Sequence, residues 1–285
     1  MPLHPACCLL SALFLFGCGR APQQVIPVVE KVSTYEARGV LRKLDAAGRK
    51  AVVAHDTIPG FMEAMTMEFD VADGESLVAL MPGDTLAFRL SVSEARSSID
   101  QLKKTGHVEA ATIPTTAMDS LPPGAPLPEC ALVDQRGGRF HLSEFKGRAL
   151  AFTFIFTRCP LPDFCLLMNR NLAEVQRALS AGANWHLLSI SFDPEYDTPT
   201  RLAEYARAYE TEGGHWTFAT GAMEDIQKLG GSFGLMAERN GGSFDHTLRT
   251  VVVDAAGRVQ KIFTGNDWKA DDLIDEMRRA MIAKP

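Results

Sequence analysis

The chain has 285 residues, 46% of them hydrophobic and 22% charged, a composition that excludes wholesale disorder, collagen-like repetition and a polytopic membrane protein. At roughly 150 residues per domain, that length fits about two domains. Lys and Arg number 29 against 35 Asp and Glu, and a formal charge of -6 gives no basis for gripping a phosphate backbone, so nucleic acid is not an expected partner.

The first apolar stretch, Ala6 to Gly17, is shorter than the about 20 residues that span a bilayer as a helix, and it reads as the core of a signal peptide. It runs into Leu15-Phe16-Gly17-Cys18, which resembles a bacterial lipobox. The resemblance implies that residues 1–17 are removed and that Cys18 is lipidated, anchoring an exported chain at the periplasmic face of a membrane. No Lys or Arg precedes the run and Phe16 is bulky for such a motif, so ordinary secretion and an uncleaved anchor are the alternatives. Loss of Cys7 and Cys8 with the signal leaves Cys130, Cys159 and Cys165 as soluble thiols, too few for a disulfide scaffold. In an oxidising compartment the close pair Cys159 and Cys165 reads as a disulfide, a redox couple or a soft-metal site.

Residues 18–33 form a polar tether. From 34 to 111 short alternating segments follow, at Tyr35 to Leu44, Lys50 to His55, Met65 to Val71, Thr85 to Ser93 and Ile99 to Val108, punctuated by Asp45-Ala-Ala-Gly48 and Pro82-Gly-Asp84. Five short strands in so little chain predict a small all-β, OB-like barrel. Residues 112–128 carry Pro114, Pro122, Pro123, Pro126 and Pro128, and read as a linker because proline cannot keep donating backbone hydrogen bonds.

Beyond the linker, residues 129–285 alternate between strand and helix. Strands are expected at Ala149 to Phe156, Trp185 to Phe192 and Trp216 to Ala219, and helices at Phe164 to Ser180, Pro199 to Tyr209 and Met223 to Leu229. Thr198 is the expected N-cap of the second helix, with Pro199 at its first position. A hairpin of Thr247 to Asp254 with Arg258 to Thr264 and a final amphipathic helix, Ala270 to Ile282, complete an order compatible with a thioredoxin-like α/β domain.

Chemistry concentrates at two places. In His55-Asp-Thr-Ile-Pro-Gly-Phe-Met62-Glu-Ala-Met65-Thr-Met67, an imidazole lies near three thioethers, and Met65 and Met67 share a face if they share a strand. Neutral thioethers suit Cu(I) and bind hard cations poorly, although methionines on a strand also serve simply as core filling. The run Met62-Glu-Ala-Met65-Thr-Met67-Glu-Phe69 resembles the copper-binding strand of the CusF-type periplasmic domain, a five-stranded barrel that holds Cu(I) or Ag(I) through His, two Met and a Trp. That resemblance implies His55, Met65 and Met67 as ligands. Met62 stands where the family has its Trp, as a further ligand or a lid.

The second place is Phe156-Thr-Arg-Cys159-Pro-Leu-Pro-Asp-Phe-Cys165, where a buried strand runs through a two-cysteine loop into a helix. Thiols near a helix N-terminus are biased towards thiolate, which serves disulfide exchange and soft metals equally. Far along the chain, Phe244-Asp-His246-Thr is expected to open the strand returning beside that loop, and an imidazole there favours a metal site over a bare dithiol. Arg249 precedes Thr250, where thioredoxin-like reductases carry a docking proline. Thr157-Arg-Cys159-Pro160, Ser191-Phe-Asp193-Pro-Glu-Tyr-Asp197-Thr-Pro199 and Asp245-His246-Thr-Leu-Arg-Thr-Val-Val-Val-Asp254 together resemble the Sco/SenC family of copper chaperones for cytochrome c oxidase. The resemblance implies a thioredoxin-like domain that binds Cu(I) or Cu(II) through Cys159, Cys165 and His246. It further implies copper delivery to the binuclear copper site of apo oxidase subunit II, with copper donor proteins upstream. The departure is five residues between the cysteines where the commoner pattern has three.

The expectation is therefore an exported, lipid-anchored copper protein in which a flexible linker raises the effective concentration of one site for the other, so that copper passes between them. Two rivals remain: a thiol–disulfide oxidoreductase acting through Cys159 and Cys165 to keep the oxidase cysteines reduced, and periplasmic copper sequestration. His107, His141, His186 and His215 lack ligand-spaced neighbours and read as surface or packed residues, and Cys130 reads as a free buried thiol.

Overall fold

Alternation of buried and outward-facing side chains dictates the first sheet. In the computed structural model, which describes residues 31–109, 120–179, 184–209, 214–240 and 243–282, that sheet comprises β1 (Ser33–Asp45), β2 (Lys50–His55), β3 (Met65–Asp70), β4 (Asp84–Val92) and β5 (Ser97–His107). The order is β3-β2-β1-β4-β5 with all neighbours antiparallel. In β3 the residues Met65, Met67 and Phe69 turn inward while Glu68 and Asp70 face out. The sheet curls until its ends approach: Val71, just past β3, bridges to Ile99 of β5, and Ala72 N–H donates to the Ile99 carbonyl at 2.9 Å. Register shifts in β1 between Leu41 and Lys43, and in the β4–β5 pair, provide the bending that closure requires. Gly39 lies opposite His55, and a Cβ there would fall 2.5 Å from the Ala54 carbonyl oxygen, so the two backbones can approach only because that residue is glycine.

The second sheet has seven strands in the order β14-β13-β8-β9-β10-β6-β7. These are β6 (Ala131–Asp134), β7 (Arg139–His141), β8 (Ala149–Ile155), β9 (Trp185–Ser191), β10 (Trp216–Gly221), β13 (Arg249–Val253) and β14 (Val259–Thr264). The central β8, β9 and β10 are parallel, and every residue of β8 and β9 is buried, which explains their unbroken apolar runs. Helices α1 (Cys165–Ala178) and α4 (Ala270–Ile282) pack on each other and on β8, while α2 (Pro199–Ala206) and α3 (Met223–Gly231) pack on β10. Thr198 caps α2 through its hydroxyl, as the sequence implies. Among the described residues no helix is long and apolar enough to cross a membrane. The signal segment, Cys18 and the first part of the expected linker lie outside the described residues.

Three expectations change. The chain around His246 does not open the returning strand: Ser243–His246 (β12) pairs with Ala237–Asn240 (β11) in a separate two-stranded sheet, and β13 begins only at Arg249. The hairpin partner takes up the backbone groups of residues 243–246, with Ala237 opposite His246. The helix expected through Tyr209 is α-helical only to Ala206 and finishes as a 3-10 turn. The latter part of the proline-rich segment is not a free linker. Leu121 N–H donates to the Ser232 carbonyl at 2.9 Å, Gly124 N–H to Val259 at 2.7 Å and Leu127 N–H to Gly257 at 2.9 Å, while Leu121 and Leu127 pack against the second core. Proline-free positions supply these donors, and two leucines supply the apolar contact that holds the strap down.

Candidate copper sites

In the barrel, His55 ends β2 and lies directly opposite Met65 on β3, with Val53 opposite Met67. Met62, Met65 and Met67 are buried in one apolar cluster with Phe69 and Leu41, and His55 is buried with its ring 5.8 Å from that of Phe69. His55 Nδ1 lies 2.8 Å from the Asp56 carbonyl oxygen, which only accepts, so Nδ1 donates there and Nε2 is the ring nitrogen that would ligate a metal. Met62 closes a tight turn in which Ile58 N–H donates to the Met62 carbonyl and Met62 N–H donates back to Ile58, with Gly60 at φ +75°. Beside it, Phe61 stacks on Tyr35 with ring centroids 4.3 Å apart. The expected donor set is thus assembled on one inward-facing patch, and its chemistry, one neutral imidazole and thioether sulfurs, suits Cu(I).

In the second domain, the loop after β8 carries Cys159, half-buried, and Cys165, fully buried at the first turn of α1. The two are free thiols joined by a hydrogen bond. The sequence expectation that both favour thiolate divides here. The Cys165 side chain donating to Cys159 draws the Cys159 thiol below the ordinary range, whereas that same bond and burial push Cys165 well above it. Burial outweighs the helix dipole at Cys165, so of the two thiols Cys159 is the more readily ionised.

A network behind the loop fixes it. Asp193 accepts from Arg158 Nε at 3.1 Å and from Nη2 at 2.5 Å, and the Arg158 guanidinium also lies 4.4 Å from the Tyr196 ring centre. Asp197 accepts from the Thr157 amide at 3.0 Å, from the Thr157 hydroxyl and from Ser191 Oγ at 2.5 Å. Both carboxylates are fully buried. They hold the two residues immediately before Cys159, so the segment from Ser191 to Asp197 shapes the cysteine loop without touching sulfur.

His246 is buried against the loop's aromatic walls, 5.4 Å from the Phe156 ring, 5.3 Å from Phe192 and 6.3 Å from Phe164 between centroids. Among the described residues no three His, Cys, Asp or Glu side chains already converge as a metal cage. The structure thus places His246 against Phe156 and Phe164, the aromatic residues that flank the two cysteines' loop, without a ready-made cage formed with Cys159 and Cys165. The remaining histidines have other partners: His107 meets Asp84 at 2.8 Å, His186 meets Thr217 at 2.9 Å and stacks on Phe145, and His215 stacks on Trp185. Cys130 is buried, and burial together with Asp225 and Glu129 pushes its thiol up to about 11.

Residues that the sequence reading passed over join the two domains. Leu161 and Phe164, inside the cysteine loop, and Leu248 are buried in the barrel's cluster alongside Met62, Met65 and Met67, and Cys159 packs against that same cluster. Asp163, between them, accepts from Ser97 N–H at 2.7 Å and from Ser97 Oγ at 2.8 Å. A signal was present: Leu161-Pro-Asp-Phe164 puts apolar side chains in a loop that would otherwise expose them.

Comparison with known proteins decides the family. Residues 125–282 match the SCO1/SenC family model, more than half of the chain. The chain belongs to the SCO1/SenC family. Residues 34–104 match the model of the copper binding periplasmic protein CusF. Among relatives of this SCO1/SenC protein is the SCO1 protein homolog of Bacillus subtilis, 28% identical over 157 residues that span 53% of this chain and 80% of that protein. A solved SCO1/SenC family lipoprotein from Bacillus anthracis superposes with a TM-score of 0.50 at 25% identity, covering 55% of this chain and 95% of the other. BsSco, described as a member of the Sco family of cytochrome c oxidase assembly proteins, superposes with a TM-score of 0.50 at 26% identity, covering 58% and 98%. The barrel followed by a thioredoxin-like domain is thus a CusF-like and a Sco fold in one chain, and copper is the metal to which both parts point.

Proposed function

We propose that this SCO1/SenC protein is an exported copper chaperone, lipid-anchored through Cys18, that delivers copper to the binuclear copper site of cytochrome c oxidase subunit II. Its second module, from about residue 129, holds copper as cargo through Cys159, Cys165 and His246. The barrel module, residues 34–111, holds Cu(I) through His55, Met65 and Met67, with Met62 at its edge. What supports the reading is the pair of free thiols, Cys159 and Cys165, in a loop whose flanking residues Phe156 and Phe164 pack on buried His246, in a member of this family. Two thiolates and an imidazole hold copper firmly, whereas a neutral thioether and imidazole set holds Cu(I) more weakly because it brings no charge.

The test is copper stoichiometry and optical spectrum of the full chain, loaded with Cu(I) or Cu(II). The expected result is two Cu(I) per chain and a thiolate-to-Cu(II) charge-transfer band that disappears in Cys159→Ser and in His246→Ala. Retention of that band in both variants would overturn the ligand assignment.

The asymmetry of the dithiol, a lowered thiol at Cys159 backed by a buried one at Cys165, supports a second reading as a thiol–disulfide oxidoreductase. His246→Ala separates the two, because it removes copper binding and leaves dithiol exchange within about twofold if the second reading holds.

A further inference from the structure

We propose that copper moves between the two sites inside one molecule, because the cysteine loop is inserted into the barrel so that Cys159 packs against the cluster that holds Met62, Met65 and Met67. The inference rests on the ligand assignment above and adds a route to it. Cys159 packs against both apolar cores, the barrel's cluster with Met62, Met65 and Met67 and the cluster of the second sheet. Strand β12, which ends at His246, packs on β3, which carries Met65 and Met67. A cavity of about 360 Å³ lies at this junction, lined from the barrel by Met62, Glu63 and Met65 and from the other side by Phe156, Arg158 and Pro160. One water occupies about 30 Å³ of liquid volume, so the chamber has room for an ion changing ligands.

The docking is built, not incidental. The loop between the cysteines buries Leu161 and Phe164 in the barrel, and its Asp163 carboxylate accepts both donors of Ser97, which is itself buried. Around the rim, Lys50 Nζ meets Asp267 at 3.2 Å and Arg170 Nη1 donates to the Glu94 carbonyl at 3.2 Å. The five-residue spacing between cysteines thereby acquires a use: it supplies the plug that seats the barrel over the thiols.

In the transfer step, Cu(I)–thioether bonds to Met65 and Met67 and the bond to His55 break as Cu(I)–sulfur bonds to Cys159 and Cys165 and a bond to His246 form. The ion remains Cu(I) and no electron moves. The protons of the Cys159 and Cys165 thiols pass to water. The direction follows from charge, since two anionic sulfurs bind a soft cation more strongly than two neutral ones.

The experiment uses the full reduced chain and Cu(I) held at limiting level by a weak chelator, with the Cu(I)–thiolate absorption followed in time. Met65→Ala with Met67→Ala should slow thiolate loading at least tenfold. Ser97→Lys, which disrupts the docking, should slow it similarly while reaching the same end point. Asp267→Lys sets two lysines face to face at the exposed rim and should slow loading to a smaller degree, which serves if Ser97→Lys fails to fold. Adding a Cu(I)-loaded Cys159→Ser, Cys165→Ser chain to the methionine double variant should not restore the rate. Wild-type loading rates in the methionine variant, or full rescue by the added chain, would overturn internal transfer while leaving both sites intact. Absence of any thiolate-bound copper in the wild type would remove the chaperone reading and the relay together.

Discussion

His186 carries a pH dependence that has nothing to do with metal. It is buried on β9, with Nε2 held 2.9 Å from Thr217 Oγ1 and the ring stacked on Phe145 at 4.6 Å. Burial, with lesser contributions from Arg148 and His215, pushes its pKa down to about 4. The unfolded chain, with an ordinary imidazole near 6.5, takes up this proton first, so stability is complete above about pH 6.5 and declines as pH falls towards 4. The loss amounts to at most about 3 kcal/mol. Urea unfolding at pH 7 and pH 4.5 should show it, and His186→Phe should flatten the difference; an unchanged pH dependence in that variant would place the acid sensitivity elsewhere. The sequence reading took this histidine as a packed residue for want of spaced partners. It also singled out His55, Met65, Met67, Cys159, Cys165 and His246 as candidate ligands, because donor identity and local motifs are visible along a chain. The unequal thiols were not visible, since that asymmetry comes from a hydrogen bond and from burial, both products of packing.

At the scale of elements, the run from Ser191 to Asp197 shows how a loop serves a site it does not enter. Asp197 satisfies Thr157 and Ser191 together, and Asp193 holds Arg158, so the turn after β9 clamps the turn after β8. Asp197→Ala would strand several buried donors, and it should cost about 2–4 kcal/mol in chemical denaturation. It should also weaken copper retention, by letting the loop shift the Cys159 thiol. If stability falls but copper binding holds, the clamp serves folding only. Strand periodicity located all five barrel strands within two residues at either end, with Lys50–His55 matching outright, because a half-buried strand alternates. The β11–β12 hairpin was missed. Its short strands pair outside the main sheet, and nothing local distinguishes them from the strand that follows.

Across the molecule, the described residues belong to one compact unit, Lys31–Pro285, in which barrel and thioredoxin-like domain share buried side chains. Phe164 and Leu161 belong to the second domain in sequence and to the barrel's core in space. Calorimetry should therefore give a single unfolding transition, and Phe164→Ala, at about 3–5 kcal/mol for an emptied aromatic site, should resolve it into two. Two transitions already in the wild type would mean the domains are coupled too weakly for the docking of Leu161 and Phe164 to persist.

By itself, the sequence determined the strand and helix order of two domains and the candidate soft donors, and by resemblance to two families the metal they suit, because alternation, local motifs and sulfur chemistry are local properties of the chain. Only the tertiary structure decided that the proline-rich segment straps onto the second domain, that Cys159 and not Cys165 is the readier thiolate, and that the lengthened cysteine loop plugs the barrel. These depend on burial and on contacts between residues far apart in the chain, such as Ser97 with Asp163, and such contacts leave no periodic trace for a sequence to display.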